Sequence, residues 1–182
     1  YAQKLALFGK HGITRDPALM TNEGVGLERQ GAWFYQQLCL GFNYRLSDMQ
    51  AALGISQLNK LDSFIAARQA RANIYFNELK DLPIKLPIND LQNQSGWHLF
   101  MIELLQHDRK DIYAKLQEKG IGVNVHYIPI HVHPYYQQLG FKYGDFPVSE
   151  NYYEKAITIP LFPSLSADDQ YRVVEVLKEV LV

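Results

Sequence analysis

The stretch Gly41-Phe42-Asn43-Tyr44-Arg45-Leu46-Ser47-Asp48-Met49-Gln50-Ala51-Ala52 runs without a break into the longest helical pattern of the chain, and the remaining sequence is organised around it. Ser47 followed three residues later by Gln50 is a capping box, in which the hydroxyl takes a free amide of the first turn and the Gln side chain reaches back to the Ser47 amide. Ser47 is the expected N-cap. A helix N-terminus leaves unpaired N–H groups and partial positive charge. Asn43 and Arg45 add an amide donor and a guanidinium fork that matches phosphate or carboxylate. The pattern reads as an anion site. From spacing alone, a solvated loop in which Arg45 pairs with Asp48 fits as well.

Downstream of Ser47, the apolar positions Met49, Leu53, Leu58, Leu61, Phe64, Ile65, Ala72, Tyr75, Phe76 and Leu79 keep helical spacing as far as Lys80. Asp62-Ser63 favours a cap over a helix interior, so a kink is expected there. Pro83 and Pro87 end the helix. Residues 97 to 105 read as a buried strand. Asp108 caps a helix that stops at Gly120. Residues 121 to 127 read as a second strand, with Val123 and Val125 on one face and Asn124 and His126 on the other. Short helices are expected at 135 to 139 and 149 to 156, then a third strand at Ile157-Thr158-Ile159. Ser166 and Asp169 open the last helix, where Tyr171, Val174, Leu177 and Leu181 make one apolar stripe.

Upstream, residues 1 to 9 end a helix or form a short strand. Residues 10 to 40 are rich in turn chemistry at His11-Gly12, Asp16-Pro17, Asn22 to Gly26 and Gln30-Gly31. This divides the chain into an interface segment (1–46), a long connecting helix (47–80, kinked near 62) and a small α/β domain (81–182) whose sheet carries packed helices.

At 182 residues, 47% hydrophobic and 20% charged, the composition is that of a globular protein. A net charge of -1 argues for neither nucleic acid nor an anionic membrane as partner. The apolar runs are too short to cross a bilayer and no secretory leader is present, so a cytoplasmic location is expected. Cys39 is the sole cysteine and sits in an apolar run. The chain opens at Tyr1 in mid-pattern and reads as a piece of a longer polypeptide. No Ser/His/Asp order, P-loop or dinucleotide glycine pattern occurs. His126, His131 and His133 lie close in sequence, but the loop lacks Cys or a carboxylate at ligand spacing, so no metal is expected.

Together, Gly41 to Arg45 with Asp48, Gln50 to Gly54, Gln57-Leu58 and Leu61, His11-Gly12-Ile13 upstream, and Val125-His126-Tyr127-Ile128-Pro129-Ile130-His131 with Pro134-Tyr135-Tyr136 downstream resemble the DegT/DnrJ/EryC1/StrS family of sugar aminotransferases, which depend on pyridoxal 5'-phosphate (PLP). The resemblance spans essentially all of the chain. It implies the C-terminal small domain of a fold-type I aminotransferase, with a long linking helix and a remnant of the large domain. Ile13 to Pro17, Trp33-Phe34-Tyr35, His133 to Phe141 and Gly144 to Pro147 are most similar to the pseudaminic-acid branch of the family. That branch implies transfer of an amino group from L-glutamate to C4 of a UDP-4-keto-6-deoxy-N-acetylhexosamine.

Carried over by motif, the resemblance implies that Asn43, with Arg45 nearby, binds the cofactor phosphate of a neighbouring subunit in a homodimer. His126, Tyr127 and His131 would line the nucleotide-sugar cleft. For Tyr35, within its aromatic cluster, stacking on the substrate and serving as a packing plug both stay open. The Schiff-base lysine of the family would lie upstream, so no catalytic residue is expected within this chain and the chain alone should not transaminate. Two alternatives are a relative with another keto-sugar substrate, or one whose lysine is replaced by histidine and which dehydrates. A third is a non-catalytic dimerisation domain. Without its large domain, the chain is expected to expose apolar surface around residues 27 to 58 and hence to self-associate or swap its N-terminal segment.

Overall fold

A computed structural model describes residues 1–21, 34–90, 93 and 95–182. The turn residues Asn22 to Gly26 and Gln30-Gly31, and Trp33 of the aromatic cluster, lie outside the described residues. The chain divides into two compact units, Tyr1–Asn59 and Lys60–Val182.

In the first unit, helix α1 (Ala2–Phe8) resolves the helix-or-strand ambiguity at the start of the chain. Strands β1 (Ile13–Thr14) and β2 (Gln36–Gln37) pair antiparallel, Ile13 opposite Gln37. Helix α2 (Asp48–Leu58) starts where the capping box places it, with Ser47 as N-cap. None of its residues is buried. The expected single spine is in fact two helices, because the chain breaks at Asn59-Lys60 before helix α3 (Leu61–Glu78). Neither Asp62 nor Ser63 caps the new helix: its N-cap is Lys60 without a side-chain cap, Ser63 lies in the first turn with its hydroxyl donating to the Lys60 carbonyl at 2.7 Å, and the break precedes Asp62.

The second unit holds the core. Strands β3 (Ile84–Lys85), β4 (Phe100–Leu104) and β5 (Ala156–Ile159) form an antiparallel sheet in the order β3-β4-β5. The alternation of β4 sends Phe100, Ile102 and Leu104 inward. The β3–β4 register sets Lys85 opposite Glu103, and the two form a 2.8 Å ion pair. Helix α4 (Arg109–Glu118) is capped by Asp108, whose carboxylate accepts the Lys110 and Asp111 amides. Gly120 follows at φ +75°, the left-handed conformation that ends a helix.

Helices α5 (Pro134–Gln137) and α6 (Pro147–Lys155) precede β5, and helix α7 (Ala167–Leu181) closes the chain behind its Ser166 cap. Val174, Leu177 and Leu181 of α7 are buried as expected, but Tyr171 is 48% exposed. The stripe is centred one position earlier, on Gln170, Val173 and Val180. Tyr75 of α3 is fully buried against Phe100 and donates its hydroxyl to the Pro160 carbonyl at 2.7 Å. Burial raises its pKa well above the ordinary phenol value.

The expected strand at 121 to 127 is absent. Only Asn124 bridges to the sheet, through Thr158. The Asn124 side chain accepts the Val125 amide at 2.8 Å, which takes the next backbone donor out of ladder pairing. No helix is long and apolar enough, among the described residues, to cross a membrane.

Candidate functional site

In the first unit, the loop before α2 is locked to the end of α1 by backbone hydrogen bonds. Phe42 N donates to Phe8 O at 2.7 Å, His11 N to Phe42 O at 2.9 Å and Tyr44 N to Gly9 O at 3.1 Å. The two stretches pass so close that side chains are excluded. A Cβ on Gly41 would lie 2.3 Å from Gly12 N, and one on Gly12, at φ +71°, would lie 1.8 Å from Cys39 O. His11-Gly12 and Gly41, separate in sequence, are two sides of one crossing.

That crossing fixes what Asn43 and Arg45 present. Asn43 bridges antiparallel to Lys10, so the loop is locally extended and its side chains alternate. Phe42 and Tyr44 stack on each other on one face, 5.0 Å between centroids and 10° from parallel. Alternation sets Asn43 and Arg45 away from that stack, and of the two only Arg45 lines the cavity of this unit. Both are exposed, and among the described residues neither side chain has a hydrogen bond or ion pair. Arg45 therefore does not pair with Asp48.

Arg45 lines a cavity of about 590 Å³ together with Lys10, Arg15 and Tyr35. The Arg15 guanidinium lies 6.0 Å from the centre of the Tyr35 ring. Among the described residues, three cations face that cavity against one carboxylate, Asp16. The helix mouth contributes less than its sequence implies. Ser47 Oγ takes the Gln50 amide at 3.3 Å, Gln50 Oε1 takes the Ser47 amide at 3.0 Å, and Asp48 already brings negative charge to the first turn. The side-chain donors of Asn43 and Arg45 are left without a partner here, among the described residues.

In the second unit, His126 is half-buried. Its Nδ1 lies 2.8 Å from Thr158 Oγ1, and its ring meets the ring of Tyr127 edge-on at 4.5 Å. Tyr127 is 71% exposed. His131 is buried, its Nε2 2.6 Å from Oε1 of buried Glu150. The same carboxylate accepts the Gly144 and Phe146 amides at 2.8 and 3.3 Å. Burial alone would raise the Glu150 pKa, but the hydrogen bonds from His131, Gly144 and Phe146 outweigh it and leave the carboxyl below its ordinary value.

His131 also walls a cavity of about 480 Å³ with Pro129, Tyr136, Phe141 and Phe146. Its Nε2 is committed to Glu150, and the rest of the ring is what it can offer the cavity. His126 and Tyr127 do not line this cavity. Sequence reasoning missed Glu150 and Thr158. Glu150 sits 19 residues from its partner, and Thr158 lies inside an apolar strand, so no local spacing marks either.

The DegT/DnrJ/EryC1/StrS aminotransferase family model matches residues 2–178. The chain belongs to that family. An uncharacterized protein of Methanocaldococcus jannaschii is 33% identical across 99% of this chain and 47% of its own length. The spore coat polysaccharide biosynthesis protein SpsC of Bacillus subtilis is 34% identical across 83% of this chain and 41% of its own length. A solved structure of Helicobacter pylori PseC, an aminotransferase involved in pseudaminic acid biosynthesis, is 27% identical with a TM-score of 0.81, over 98% of this chain and 45% of that one. The chain thus spans less than half the length of the relatives it matches. It is an α/β piece of the fold-type I sugar aminotransferase architecture.

Family members depend on PLP. The residues present fit the phosphate end of that group: an unpaired guanidinium and an unpaired amide stand on one braced loop.

Proposed function

We propose that this chain is the C-terminal portion of a PLP-dependent nucleotide-sugar aminotransferase. The reaction we assign is transfer of an amino group from L-glutamate to C4 of a UDP-4-keto-6-deoxy-N-acetylhexosamine, as in pseudaminic acid biosynthesis. The observation that carries the reading is the exposed, partnerless pair Asn43 and Arg45, set away from the Phe42–Tyr44 stack.

When bound, the cofactor supplies the electron-withdrawing ring through which amino groups pass. Arg45 gives the phosphate two N–H donors and a full charge, and Asn43 adds an amide N–H. Each charge-assisted bond contributes about 1.5–3 kcal/mol. The resemblance to the family assigns the phosphate held by this exposed loop to a second copy of the protein, and makes the working unit a homodimer with shared sites. Tyr35, beside Arg45 in the same cavity, contacts the sugar substrate. In the other unit, His126 and Tyr127 contact the nucleotide sugar and His131 supports the loop they stand on. The amine that holds and releases the cofactor comes from the large domain, so this chain alone is inactive.

The test joins the chain to its large domain and supplies PLP, glutamate and the 4-keto sugar. A 4-amino sugar is the expected product. Cofactor binding without any amino sugar would overturn the assignment.

A further inference from the structure

The hydrogen bonds around His126 determine which of its ring nitrogens carries the proton. Asn124 Oδ1 accepts the Val125 amide at 2.8 Å, and this fixes the orientation of the Asn124 amide. Its NH₂ group then faces His126 Nε2, 3.5 Å away. A donor on that side makes Nε2 the acceptor of the neutral ring, so the proton sits on Nδ1 and is donated to Thr158 Oγ1 at 2.8 Å. Thr158 is itself held on both sides. Its amide donates to the Asn124 carbonyl at 2.7 Å and its carbonyl accepts the Asn124 amide at 3.1 Å. The side chain that orients the ring and the backbone that positions Thr158 are therefore one bridge, which explains why a single residue pair survives where a full strand was expected.

We infer that Thr158 and Asn124 are positioning residues that hold His126 as its Nδ1–H tautomer. Nε2 carries the ring's one available lone pair, and a ligand O–H or N–H that reaches it displaces the long 3.5 Å contact from Asn124. In its neutral form His126 then accepts from an O–H or N–H of a ligand, such as a sugar hydroxyl or a nucleobase imide, and has no proton on Nε2 to offer a phosphate oxygen. The ligand half of this inference rests on the proposed function, but the tautomer does not.

The experiment is imidazole ¹⁵N NMR of the chain with labelled histidine, at a pH about two units above the ordinary histidine value of about 6.5, where imidazole is neutral. His126→Gln assigns the signals. The expected spectrum has a pyrrole-like Nδ1 and a pyridine-like Nε2 for His126. Thr158→Ser should retain this pattern. Thr158→Val, of matching size, should lose it, with the amide spectrum of the remaining sheet unchanged. Exposed Asn124→Asp, which puts an acceptor opposite Nε2, should reverse it. A wild-type His126 protonated on Nε2, or a Thr158→Val ring that keeps the Nδ1 proton, would overturn the inference. If the tautomer is as stated but nucleotide sugars leave the His126 signals unmoved in the complete enzyme, the proposed contact of His126 with the sugar fails and the inference about positioning stands.

Discussion

His131 Nε2 and Glu150 Oε1 lie 2.6 Å apart with both side chains buried, so a pair 19 residues apart in sequence ties the loop before α5 to helix α6. Glu150 is held ionised in the folded chain by His131, Gly144 and Phe146 and titrates below its ordinary value of 4.5. A carboxyl depressed by folding contributes stability that is complete above the unfolded pKa and disappears as pH falls through the folded one. In thermal melts, wild type should therefore exceed Glu150→Gln by its largest margin near neutrality, and the margin should close below about pH 4.5. A margin that does not change with pH would show that charge at Glu150 is irrelevant to the fold.

Helix α7 offers a paired test of which face is core. Leu177 is fully buried, and Leu177→Ala should cost about 2–5 kcal/mol in chemical denaturation. Tyr171, half exposed, sits on the expected stripe but off the observed one. Tyr171→Ser should stay within about 0.5 kcal/mol of wild type. Equal losses at both positions would restore the stripe read from spacing.

Helix α2 buries nothing within its own unit: Met49 is 83% and Leu53 63% exposed, and Ile55 and Leu58 are similar. Apolar surface of this kind marks a contact face. The chain is expected to self-associate at high concentration, and Leu53→Glu should lower the mass seen by light scattering. A wild-type monomer at all concentrations would contradict this.

What the sequence disclosed, and what it hid, follows from range. The caps at Ser47, Asp108 and Ser166 were legible because each is a side chain bonding an amide two or three residues away. The buried strands at Phe100 and Ile157 were legible from short, mainly apolar runs, the second closed by Pro160. The strand expected at 121 to 127 failed because alternation cannot reveal that Asn124 bonds its own neighbour in place of the ladder. The break at Asn59-Lys60 has no proline or glycine to announce it. Asn43 and Arg45 were legible as a donor pair, but the bracing of their loop depends on the Gly12–Gly41 crossing, a backbone contact between residues 29 positions apart that no local pattern records. The pairing of His131 with Glu150, and of His126 with Thr158, is equally a product of tertiary approach.

The central claim is that Asn43 and Arg45 grip a phosphate belonging to the other subunit, and subunit complementation measures it most directly. In the complete enzyme, Arg45→Ala should weaken PLP binding roughly ten- to hundredfold, as should Asn43→Ala. Mixing Arg45→Ala subunits with subunits whose large-domain lysine is replaced by alanine should then recover tight, productive cofactor binding, because one site of each mixed dimer regains both its lysine and its arginine. Mixed dimers that recover nothing would show that Arg45 serves its own subunit's site, or none, and would contradict the account.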